Sequence, residues 1–197
     1  MMLPREITAA DFIEHTTPAV KALFDAIAEE QARYEPLRTA FQSAHEMHYA
    51  DFITADLQED FDDQQVQHKY AQAAEAKMQA LLVSQSLEVL CGAVLQIGKQ
   101  GISLILKDGD RYSKGRVIGS QPLSNVVWYG RNQAMHWEAG PPTNKHTKRC
   151  FETLAKEFGP QFEFKDSPRN MAWDILITIG WSSYDEYEKD MHEILDN

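Results

Sequence analysis

Cysteine is scarce in this 197-residue chain: Cys91 and Cys150 stand alone, in no CxxC or similar spacing. That excludes a cysteine-built zinc site and points to a reducing compartment. The start, MMLPREITAADFIEH, has no basic run leading into an apolar one, so no secretory signal is legible. P-loop and GxSxG patterns are missing, no DxD-type carboxylate site is read, and His45-Glu46-Met47-His48 is not HExxH, so a metal-free site is expected. No repeat, low-complexity tract or linker interrupts the chain. The longest apolar stretch, Ser84 to Leu106, contains Glu88, Gln96, Lys99 and Gln100. Such residues fit a buried helix better than a membrane span. These absences leave a soluble, cytoplasmic protein as the expectation.

Basic residues are outnumbered, 19 Lys and Arg against 30 Asp and Glu, for a net charge of −11. Phosphate binding depends on Lys and Arg, so this balance argues against a nucleic-acid partner until its distribution is considered. Residues 1–65 hold 14 acidic and 4 basic side chains, and residues 150–197 hold 11 and 4. Residues 99–149 reverse the ratio, with 9 basic and 3 acidic. One locally basic window therefore lies inside an acidic chain, although charge clustered on a solvated face would read the same way.

Hydrophobic residues, at 43%, suit an ordinary globular core. Val20, Leu23, Phe24, Ile27 and Ala28 recur at helical spacing and predict an amphipathic helix from Pro18 to about Gln42, with a kink or break at Pro36. The acidic stretch 45–63 is weakly periodic and reads as a short helix or a loop. A long helical pattern runs from Gln64 to Leu106, as one helix or two broken near Gly98 or Gly101; that glycine pair suits close helix approach. Asp108-Gly109 marks a turn, with a β-hairpin between Ile105-Leu106 and Val117-Ile118 as an option. Further helices are expected over Leu123–Glu138, over Lys145–Phe158, after Ser167-Pro168, and from the capping box at Ser183 to about Leu195. The expectation is an all-α bundle of five to seven helices over residues 64–197, with an acidic helical extension over 1–63.

The chemistry concentrates in Gly130-Arg131-Asn132-Gln133-Ala134-Met135-His136-Trp137, inside the basic window. On a helix turning ~100° per residue, Asn132 and His136 share a face, while Arg131 lies ~140° from His136. One helix therefore gives half a site, and two copies meeting across a two-fold axis give a whole one. The residue types suit RNA cleavage without metal. One His accepts the ribose 2′-OH proton while a second protonates the departing 5′-oxygen. Arg stabilises the phosphorane charge, and Asn holds an imidazole or a phosphate oxygen.

Arg131-Asn132 followed three residues later by His136, with Trp128, Tyr129 and Trp137 as aromatic flanks, resembles the signature of the HEPN domain (higher eukaryotes and prokaryotes nucleotide-binding). The resemblance covers about residues 65–195 and is sharp over 126–138. It implies a helical-bundle homodimer with paired motifs in a cleft, an endoribonuclease leaving a 2′,3′-cyclic phosphate. It also implies a place in toxin–antitoxin, abortive-infection or other antiviral systems, with an antitoxin or regulatory protein as partner. It makes Arg131 the phosphate-stabilising residue, Asn132 its polar neighbour and His136 the acid and base. A HEPN subfamily controlled by nucleotide transfer carries Tyr two residues after the His; here that position is Glu138.

Around the motif, Arg111, Lys114 and Arg116 form a basic loop that contacts RNA or is plain surface, and Lys145, His146, Lys148 and Arg149 line an RNA path or a solvated helix start. Tyr112 and Tyr129 stack on bases or pack in the bundle. Two other functions stay open. One is a catalytically inactive HEPN module whose acidic segment meets a partner protein; the other is a small-molecule nucleotide binder.

Overall fold

The computed structural model describes residues 6–55, 63–108, 110–164 and 168–196. It is an all-α helical bundle with a minimal two-stranded sheet. The order is α1 (Ala9–Ala55), α2 (Asp63–Ile105), β1 (Val117–Ile118), β2 (Gln121–Pro122), α3 (Leu123–His136), α4 (Lys145–Phe158), α5 (Ala172–Ile179) and α6 (Tyr184–Leu195). Short 3-10 turns follow α3 at Trp137–Ala139 and α4 at Pro160–Phe162.

The chain divides into two compact units, one of residues up to Ile27 and from Glu88 onward, the other Ala28–Leu87. The sequence expectation placed its division near residue 63. The first turns of α1 pack within the first unit: Phe12, Ile13, Val20, Phe24 and Ile27 are buried, while Glu14 and Asp25 are exposed. A regional charge count cannot see that the acids and the apolar residues occupy opposite faces of one helix. Phe24 meets the Tyr187 ring at 6.2 Å, and the Thr17 hydroxyl lies 2.7 Å from that of Tyr184.

Helix α1 also starts earlier than Pro18. Thr8 and Asp11 cap it reciprocally, with the Asp11 amide donating to Thr8 Oγ1 at 3.2 Å and the Thr8 amide to Asp11 Oδ2 at 3.0 Å. The helix continues through Pro18 and Pro36, both exposed. Glu14 and Ala32, whose carbonyls lose an amide partner there, are exposed residues, where water can offset the missing bonds.

Helix α2 passes through Gly98 and Gly101 without a break because these residues admit neighbours. A Cβ on Gly101 would stand 2.6 Å from Phe12 Cε1, and one on Gly98 3.3 Å from both Trp181 and Val127. Within Gln67–Ile105 lies a stretch long and apolar enough to cross a membrane by length and composition. Cys91, Val94, Leu95 and Ile102 are fully buried, whereas Val89 and Leu104 are exposed. Leu123, Val126 and Val127 of α3, Phe151 and Leu154 of α4, Ile175 and Ile179 of α5, and Met191 and Ile194 of α6 complete this core. Each such side chain contributes roughly 1.5–3 kcal/mol on burial.

The hairpin forms elsewhere than expected. Val117 pairs with Pro122 and Ile118 with Gln121, antiparallel, about a turn at Gly119-Ser120. Gly119 supplies the positive φ, +58°, that the tight turn requires. Ile105 instead ends α2, and Gly109 lies outside the described residues. Ser167 does too; α5 begins at Ala172, whose amide donates to Asn170 Oδ1 at 2.9 Å. The Ser183 capping box is present, with the Ser183 amide donating to Glu186 Oε2 at 3.2 Å.

In the unit Ala28–Leu87, surface ion pairs Arg33–Glu30 and Arg38–Glu35 lie along one helix, and the Lys77 ammonium stands 5.6 Å from the Phe41 ring centroid. Met78, Leu81 and Leu82 are exposed there.

Candidate functional site

Gly130 sets the position of the motif. A Cβ there would approach Ile175 Cδ1 to 2.9 Å, so its absence lets α3 lie close against α5. Gln133, almost fully buried, fixes the neighbouring chain: its Nε2 donates to the Arg169 carbonyl at 2.7 Å, and its Oε1 accepts the Met171 amide at 2.9 Å. Within the motif Gln133 holds the scaffold, and its two-sided backbone clamp is not readable from local spacing.

The three motif residues separate as helix geometry requires. Asn132 and His136 line one cleft of about 430 Å³ together with Trp137, the Gly140–Thr143 loop and Asn144. His136 is exposed as the last residue of α3. Arg131 is half-buried and turns to α2, where its Nε donates to Gln96 Oε1; its Nη1 donates to Asn132 Oδ1 at 3.3 Å. Asn132 thus touches both halves of the motif, while Arg131 and His136 face different sides of the helix.

Arg131 lies near two cations that stand over Trp128. The Lys99 ammonium lies 4.4 Å from the Trp128 ring centroid, and the Arg111 guanidinium carbon 5.8 Å from it. Burial, followed by the positive charges of Arg131 and Arg111, lowers the Lys99 pKa. Lys99 was not singled out from sequence; it sits four residues before Ser103 in an apolar helix, and only folding brings it to the basic loop.

The loop's own cations have further work. Arg111 closes the C-terminal end of α2, donating from Nε to the Leu106 carbonyl at 3.2 Å, from Nη2 to the Ser103 carbonyl at 3.0 Å, and also to Asp108. Arg116, expected among the RNA contacts, is tied into the fold on one side and exposed on the other. It bonds buried Asp190 from Nε and Nη2, both at 2.9 Å, and also the Ile179 carbonyl. Asp190 accepts the Trp181 indole N–H as well, at 2.7 Å. Lys114 is half-buried, its amide donating to Ser124 Oγ at 2.9 Å.

Lys145, His146, Lys148 and Arg149 form the exposed first turns of α4, where the Asn144 side chain accepts the His146 and Thr147 amides. Lys148 also stands 3.9 Å from Glu152. Tyr129, 8% exposed, is a packing residue rather than an open stacking platform. Its ring is nearly parallel to Tyr112 at 5.7 Å and to His146 at 6.3 Å. Tyr112 in turn meets Trp128 edge-on at 5.2 Å. Protein-family models, curated proteins and solved structures compared with this chain yield no match.

Proposed function

We propose that this protein is a metal-independent endoribonuclease of the HEPN kind, acting as a toxin or antiviral abortive-infection effector. The observation that carries the reading is the gathering of Lys99 and Arg111 over Trp128 with Arg131 close to Lys99, in a chain whose net charge is −11. Cations gathered this closely gain most from a polyanion between them.

The active unit is a homodimer. Arg131 and His136 of one chain point apart, so a complete site takes its residues from two motifs across a two-fold axis. Exposed apolar side chains accompany the Arg131 face: Met135, one turn after Arg131, is 53% exposed, and Val89, two turns before Gln96 on α2, is 68% exposed. A second copy would bury both.

In the reaction, the 2′-oxygen attacks the adjacent phosphorus as one His136 takes its proton. The bond from phosphorus to the 5′-oxygen breaks, and the other His136 supplies the proton to the leaving oxygen. Arg131 stabilises the charge on the pentacoordinate phosphorus, and Asn132 orients His136 from one turn away. The products are a 2′,3′-cyclic phosphate and a free 5′-hydroxyl. Purified protein should cleave RNA in EDTA with those ends, and His136→Ala should abolish it. Full activity in that variant refutes the assignment.

The exposed Met78, Leu81 and Leu82 of the Ala28–Leu87 unit favour a second reading, a non-catalytic module that binds a partner protein. RNA left intact by a dimer that is harmless when expressed would select it.

A further inference from the structure

A second cleft, of about 490 Å³, opens nearer the N-terminal end of α3, lined by Tyr112, Gln121, Asn125, Tyr129, His146 and Arg149 among others. The cation cluster and this cleft are joined by aromatic rings in sequence: Trp128, Tyr112, Tyr129, His146, with centroid spacings of 5.2, 5.7 and 6.3 Å. The last three are nearly parallel, at 10° and 16°. Cations stand at both ends, Lys99, Arg111 and Arg131 at one and Arg149 at the other. Arg149 follows His146 by three residues on α4, so both project from the same side of that helix.

We infer that this ring ladder is a track for a single nucleic-acid strand, and that the cleft seats an unpaired base flanking the phosphate held at Arg131. The inference rests on the ribonuclease reading for which phosphate reacts, but the track stands on its own geometry. A groove with positive ends and interleaved rings is the pattern that binds single strands, because every base has a π face and every linkage a charge. Tyr112, 39% exposed, and the exposed His146 offer the open ends of the ladder; buried Tyr129 holds them in register. Asn125 donates from Nδ2 to Gln121 Oε1 at 2.9 Å, which leaves its Oδ1 as an acceptor for a base amino group. Arg149 supplies donors for a phosphate. A duplex keeps its bases stacked on each other and gains nothing from the ladder.

The test uses a fluorescent single-stranded 2′-O-methyl RNA, which lacks the attacking hydroxyl and cannot be cut, titrated into the full chain. His146→Ala should weaken binding about tenfold, the scale of one lost stacking platform, and His146→Tyr should restore it. Arg149→Ala should reduce the slope of log affinity against log salt by about 0.7, one phosphate contact on a single strand. The same sequence as a duplex should be insensitive to His146→Ala. Unchanged single-strand affinity in both alanine variants, or equal losses on the duplex, overturns the track. Ladder-dependent binding without cleavage of unmodified RNA keeps the track and removes the ribonuclease. Cleavage lost in His136→Ala but untouched, together with binding, in His146→Ala does the reverse.

Discussion

Replacing Asp190 by Ala should cost about 3–5 kcal/mol of folding free energy, the range for removing one partner of a buried ion pair. Asp190 is 3% exposed and receives three donors: Arg116 Nε and Nη2, each at 2.9 Å, and Trp181 Nε1 at 2.7 Å. Trp181 is itself 2% exposed, so its stranded N–H accounts for roughly 1–3 kcal/mol. The Arg116 side chain is 41% exposed, and water replaces part of what it loses, which places its share at the low end. For a chain of this length, about 2–4 °C per kcal/mol gives a fall in Tm on the order of 10 °C. Urea unfolding of wild type, Asp190→Ala and Asp190→Asn measures it, with Asn intermediate because it keeps an acceptor for the indole. A loss below about 1 kcal/mol for Ala refutes the assignment of Arg116 to the fold and returns it to the RNA surface.

Gly101→Ala should destabilise by about 1–3 kcal/mol through overpacking, despite the better helix propensity of Ala, because its Cβ would stand 2.6 Å from Phe12. Pairing it with Phe12→Leu should recover part of that loss in denaturant titration; strictly additive losses would mean that Phe12 does not pack there. Glu88 is the pH-sensitive position. Burial raises its carboxyl pKa to about 7, against the lowering effect of Arg169 and with a further push from Asp174. A carboxyl with a raised folded pKa makes the folded state hold the extra proton, so stability falls as pH rises from 4.5 through 7. Glu88→Gln should therefore be more stable than wild type at pH 8, by about 1 kcal/mol after discounting for its partial exposure, and equal near pH 4. A pH-independent difference between the two melting curves contradicts that account.

The helices were legible where periodicity and punctuation agreed. Lys145–Phe158 ends at Gly159-Pro160, and the Ser183 box opens the last helix where residue chemistry says it should. Misreadings arose where a local rule met a tertiary answer. Pro18 looks like a helix start, but the apolar face of α1 begins at Ala9 and Phe12, and packing carries the helix through the proline. Val117-Ile118 is strand-like enough to suggest a hairpin; which partner it takes depends on Gly119, whose left-handed backbone sequence reading passed over. At the site, the i,i+4 relation put Asn132 and His136 on one face, and they share a cleft. Gln96 and Lys99 were invisible for the opposite reason: they lie 35 and 32 residues before Arg131 in the chain, inside an apolar run. The same distance hid the Arg116–Asp190 pair, which only a folded chain reveals as structural.

The second cleft has braces across it. The Ser120 amide donates to Glu157 Oε2 at 3.0 Å, and Gln121 Nε2 donates to the Cys150 carbonyl at 3.1 Å, so the hairpin turn is tied to α4 at two levels. One wall carries Ser120 and Gln121, the other His146, Arg149 and Thr153. An occupant therefore meets walls already set, and little conformational entropy remains to be lost on binding. Calorimetry on such a groove should register an association with a small ordering penalty. Amide exchange along the two walls should be slow before any ligand arrives and change little afterwards.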